Sequence, residues 1–137
     1  MNIEINWLAL LLAVVANQVV GFVWYGPLFG KKFMAASGMD KWTPEKQAAE
    51  KKKMGLSYFL QFVSSLVTFF VLAGLIVGFG HTTASWGAIT AVIIWAGFVV
   101  PIKLGEAIWG GNMTLFWLGN GNMLVTFVVA GAILGAW

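Results

Sequence analysis

KKFMAASGMDKWTPEKQAAEKKK, the 23 residues from Lys31 to Lys53, holds seven of the chain's eight lysines and three of its five acids, a local net charge of +4. On either side of it the sequence turns apolar. The chain of 137 residues is 60% hydrophobic and 9% charged, with a mean hydropathy of +0.86. A water-soluble surface ordinarily takes about 25% charged residues, so this composition points to a membrane. Apolar runs lie at about residues 6–25, 56–79, 86–103 and 113–136, each near or above the roughly 20 residues that cross about 30 Å of hydrocarbon as a helix. Stretches such as Leu8 to Val15 and Val71 to Val77 are apolar on every side, where a membrane β-strand would alternate. The expectation is an all-α integral membrane four-helix bundle, a single transmembrane domain over residues 1–137.

Lysines in short connections are retained on the cytoplasmic side. This rule predicts that residues 31–53 lie inside and both termini outside, in a multi-pass protein of the cell (inner) membrane. Trp7, Trp86 and Trp137 then form one interfacial belt and Trp24 and Trp109 the other, since amphipathic aromatics favour headgroup layers. Met1 to Asn6 carries an acid but no base, and no small-residue cleavage site closes the first apolar run, so that run reads as a retained span. Gly26-Pro27 breaks or kinks it, because proline lacks the amide hydrogen and clashes with the preceding turn. Thr43-Pro44-Glu45 supplies an N-cap, a first-turn proline and an acid. A helix is therefore predicted from about residue 44 through Phe79, its first third standing in the cytosol.

The basic balance does not suggest nucleic acid: the lysines sit between two spans, and there is no arginine for bidentate phosphate contacts. The lipid bilayer and its anionic headgroups are the expected partners. The chain has no cysteine and one histidine, His81, to which no role is assigned, so no disulfide, metal site or cofactor is expected.

Polar residues within the apolar runs are the candidates for function. Ser57, Gln61, Ser64, Ser65 and Thr68 recur on one helical face. Asn17 and Gln18 lie just past the middle of the first span, and Asn120, Asn122 and Thr126 in the fourth. With the topology above, all fall at or inward of the bilayer midplane. Unpaired polar groups are costly in lipid, so these faces turn inward, either to line a polar cavity open to the cytoplasm or to bond helices together. Gly119-Asn120-Gly121-Asn122 either admits a close neighbour or unwinds the fourth helix locally, as in transporter sites. Lys103 and Glu106, three residues apart near a span end, are either an ionisable functional site or an interfacial ion pair. Gly74/Gly78 and Gly131/Gly135 are spaced for close helix contact, within or between subunits. Two such pairs suggest a homo-oligomer, most simply a twofold dimer.

Leu66 to Gly78 aligns with Leu124 to Gly135 with one deletion, and Gly21-Phe22-Val23 before Pro27 is echoed by Gly97-Phe98-Val99 before Pro101. Parallel duplication of a helical hairpin and chance likeness in a restricted alphabet both account for this.

Trp24-Tyr25-Gly26-Pro27-Leu28-Phe29-Gly30-Lys31, Trp95-Ala96-Gly97-Phe98-Val99-Val100-Pro101, Asn120 and the ending Gly131-Ala132-Ile133-Leu134-Gly135-Ala136-Trp137 resemble a small prokaryotic membrane-protein family, domain of unknown function 1761. The resemblance implies a four-span integral membrane protein and brings no catalytic residues. The residues themselves hold no nucleophile beside a base, so an enzyme is not expected. Two function classes are carried forward: a homo-oligomeric channel or transporter for a small solute or ion, and a non-transporting membrane scaffold or interaction protein.

Overall fold

Residues 3–137 are described by a computed structural model, and every regular element among them is helical. Helix α1 (Trp7–Val23) starts at Asn6, whose side chain accepts from the Ala9 amide at 3.1 Å. At its far end the winding widens into a π turn, Trp24–Leu28, with Pro27 inside it. The wider turn accommodates the ring and the missing donor without ending the helix abruptly. Helix α2 (Gly30–Ser37) follows and stops at Gly38, whose φ of +79° is the left-handed conformation that glycine adopts freely.

Helix α3 (Pro44–Gly78) has 35 residues, about 52 Å at 1.5 Å per residue. The Thr43 hydroxyl caps it, accepting from the Lys46 amide at 3.2 Å. Thr83 caps helix α4 (Ala84–Ile94) in the same way. A second π turn, Trp95–Val99, leads straight into helix α5 (Val100–Gly110). The third helical run therefore continues past residue 103 to Gly110, because Pro101 falls in the first turn of α5, where its lost amide is harmless. Lys103 and Glu106 thus lie within a helix and not in a connection. Asn112 opens helix α6 (Met113–Ala136), accepting from the Leu115 amide at 3.1 Å and donating through Nδ2 to the Ala36 carbonyl at 2.8 Å.

The four helical runs Trp7–Leu28, Pro44–Gly78, Ala84–Gly110 and Met113–Ala136 are long and apolar enough to cross a membrane. α6 is the centre, packing on α4, α1 and α3. Its closest crossing is with α4: a Cβ at Gly87 would collide with the Gly131 carbonyl, and one at Gly135 with the Thr83 carbonyl. Gly131 and Gly135 are thus used within the chain. Gly74 has open space where its Cβ would stand, and Gly78 is the last residue of α3.

The buried core lies towards the end of the bundle that carries both termini. Ala9, Leu10, Ala13 and Val14 of α1 meet Phe69, Leu72, Ala73 and Ile76 of α3 and Phe127, Ala130 and Leu134 of α6. The Phe69 and Phe127 rings pack edge to face, 5.8 Å apart. Towards the lysine-rich end the packing opens. Every α3 residue from Lys51 to Ser64 is exposed, including Leu56, Phe59, Leu60 and Phe62.

Candidate functional site

A cavity of about 790 Å³ occupies the half of the bundle that the core leaves open, within the ~300–1,000 Å³ usual for small-molecule sites. α1 contributes Asn17, Gln18, Gly21 and Phe22 to its wall, and the first π turn adds Tyr25 and Gly26. Residues 18, 21, 22 and 25 share one helical face. α3 presents Tyr58 and Gln61, three residues apart; α5 presents Lys103; α6 presents Gly119, Asn122 and Met123.

Asn17 both lines the cavity and braces it. Its Nδ2 donates to Ser65 Oγ at 2.5 Å, and that hydroxyl donates onward to the Gln61 carbonyl at 2.9 Å. This buried chain ties α1 to α3 directly beneath the wall. Gln18 Nε2 and Asn122 Oδ1, by contrast, are buried atoms with no hydrogen-bond partner, as are Asn120 Oδ1 and Thr126 Oγ1. Leaving such an atom unsatisfied costs roughly 1–3 kcal/mol. Gln18 and Asn122 are the two whose side chains border the cavity. Thr126, 1% exposed, lies one turn further along the Asn122 face of α6.

The polar residues singled out in the sequence therefore divide. Asn17, Gln18, Gln61 and Asn122 share the cavity wall, whereas Ser64, Ser65, Thr68, Asn120 and Thr126 are not part of it. Ser64 is exposed and Thr68 half-buried. Asn120 donates through Nδ2 to the Phe116 carbonyl at 2.9 Å, and its backbone carbonyl accepts from the Trp95 indole at 3.2 Å. Gly119-Asn120-Gly121-Asn122 stays helical. The reason for Gly121 is a neighbour's ring: a Cβ there would stand 2.7 Å from Trp24 Cζ2. Trp24, expected in an interfacial belt, is turned into the bundle and donates its indole N–H to the Leu118 carbonyl at 3.0 Å. Each π turn thus begins with a tryptophan bonded to an α6 carbonyl.

Lys103 and Glu106 approach to 3.5 Å, with side chains 49% and 65% exposed, and only Lys103 reaches the cavity. His81, given no role from sequence, holds the α3–α4 connection. Thr90 Oγ1 donates to the Trp86 carbonyl at 2.8 Å, so it accepts from His81 Nδ1 at 2.6 Å, and the imidazole stacks on Trp86. Tyr25 and Tyr58 as wall residues are missed from sequence. The i, i+3 spacing of Tyr58 from Gln61 and the i, i+7 spacing of Tyr25 from Gln18 is the signal that marks them.

The family model described as "Protein of unknown function (DUF1761)" matches residues 8–135. The chain belongs to the DUF1761 family. Nearly all of the four-helix unit lies within the DUF1761 match, including every residue of the cavity wall. No curated protein and no solved structure matches the chain.

Proposed function

We propose that this DUF1761 protein is a membrane-embedded carrier that binds a small polar solute in a cavity opening towards the cytoplasm. The observation that carries this reading is the cavity wall itself: Gln18 and Asn122 line a space of about 790 Å³, and each has a buried amide atom, Gln18 Nε2 and Asn122 Oδ1, with no hydrogen-bond partner. Interhelical bonding does not account for them, whereas it does account for Asn17 and Ser65. The apolar core closes the opposite half, so one subunit holds a dead-ended vestibule, and transport requires the helices to exchange between two arrangements. The proposed placement is the inner membrane with both termini outside and residues 31–53 against anionic headgroups on the cytoplasmic side. It includes a duplicated hairpin, supported by the paired π turns and their tryptophan bonds. It also includes a twofold dimer through the α3 face that carries Gly74, where a second backbone has room to approach. Binding and not catalysis is the proposed role.

The test is thermal stability together with reconstituted flux for wild type, Gln61→Leu and Asn122→Leu. Flux of a small solute above that of empty vesicles, lost in both variants while stability holds, is expected. Loss of stability in both variants with no wild-type flux would leave a non-transporting scaffold, the reading favoured by the unpacked apolar stretch of α3 from Leu56 to Val63.

A further inference from the structure

The charge balance of the cavity wall is one-sided. Lys103 brings a cation and Tyr25 and Tyr58 bring hydroxyls, the amides Asn17, Gln18, Gln61 and Asn122 offer donors and acceptors alike, and no carboxylate lines it among the described residues. A wall with one cation and no anion suits an anion, which the ammonium holds by a charge-assisted bond. Glu106 stands outside the wall, and its pairing with Lys103 is solvent-exposed, a setting in which such pairs hold weakly. Lys103 is therefore free to exchange Glu106 for a ligand. The cavity is much larger than a headgroup alone requires, and Phe22 and Met123 give it apolar wall.

The wall is also interrupted on one side. Lys103 comes from α5 and Gln61 from α3, and while α3 packs on α1, α6 and α4 and α5 packs on α6, α3 and α5 do not form a packed pair. α3 is exposed all round from Lys51 to Ser64. Hydrocarbon would meet the cavity through this gap.

We propose that the cavity takes a single-chain amphiphile with an anionic head, a fatty carboxylate or a lysophospholipid phosphate, entering sideways between α3 and α5 and seating its head on Lys103. This rests on the solute-binding reading above and names the solute class. The chain lies along the apolar wall and leaves through the gap, so no through-pore is needed to load it.

The experiment uses the whole chain in nanodiscs of zwitterionic lipid, titrated with spin-labelled stearate and competed with unlabelled stearate, a lysophosphatidate, stearyl alcohol and acetate. Saturable immobilisation of the label is expected, displaced by stearate or lysophosphatidate and not by the alcohol or acetate. Whichever of the two displaces at lower concentration identifies the head. Lys103→Gln should weaken binding about tenfold, the loss of one charge-assisted bond, and Glu106→Gln should tighten it. Both positions are exposed, and unchanged melting temperatures would show that the variants fold. Equal displacement by the alcohol, or binding unaffected by Lys103→Gln, would overturn the anionic head. Displacement by acetate alone would make the ligand a free anion and overturn the amphiphile. No saturable site for any amphiphile, alongside solute flux lost in Gln61→Leu and Asn122→Leu, would overturn this inference and leave the carrier standing. Absence of both would remove both.

Discussion

Gly87→Ala and Gly55→Ala should move stability in opposite directions. A methyl at Gly87 meets the Gly131 backbone, which has nowhere to go, while one at Gly55 meets nothing within 4 Å. Overpacking costs roughly 1–3 kcal/mol, whereas relieving a helix-interior glycine gains roughly 0.5–1 kcal/mol. Thermal unfolding in one detergent should place the first variant below wild type and the second above it; stabilisation by both would mean that the α4–α6 crossing is looser than described. At Trp24, replacement by phenylalanine keeps a ring over Gly121 and removes only the donor to Leu118, so a loss of about 1 kcal/mol is expected in the same measurement. At this scale the sequence picks out Asn17, Gln18, Gln61 and Asn122 of the cavity wall, because asparagine and glutamine stand out in an apolar run, together with Ser64, Ser65, Thr68, Asn120 and Thr126, which the wall does not use. It does not separate Asn122 from Asn120. Those two are about 200° apart around α6, and which of them meets the cavity depends on the glycine crossing with α4, which fixes how α6 is rotated.

Among the elements, α3 was the most legible from sequence. Its start follows from the local chemistry of Thr43-Pro44-Glu45, and its length from the lack of any breaker stronger than Gly55. Spin labels at the exposed positions Gln47 and Ala48 should report slow, water-accessible motion, and Thr43→Ala should increase that motion, as expected for a cap worth about 1 kcal/mol. Fast motion already in the wild-type background would contradict a helix there. The π turns were not legible. A proline preceded by apolar residues is compatible with a break, a kink or a widened turn. What selects the widened turn here is tertiary: Trp24 and Trp95 each reach an α6 carbonyl. The lateral gap was equally hidden, since apolar residues such as Leu56 and Phe59 look the same in sequence whether they face helix or lipid.

For the whole molecule, the proposed orientation is tested by Ala48→Cys, convenient because the chain has no native cysteine. An impermeant thiol reagent should modify it only after permeabilisation; labelling in intact cells would invert the topology and turn the cavity mouth outward. Four helices and their order were legible because spans are counted by hydropathy, whereas the division into a packed half and an open half depends on side chains meeting across three helices. The open half takes Lys103 from α5, just beyond the second π turn. A π turn takes up one residue more than an α-helical turn, so the side chains beyond it keep the faces they would have without that residue. Deleting Ala96, which is exposed, should therefore restore regular winding and leave Lys103 on the wall, whereas deleting Ile102 from the regular winding of α5 should swing it by about 100°. The π turn is thus slack in the chain, absorbing one residue without changing which face of α5 the cavity sees.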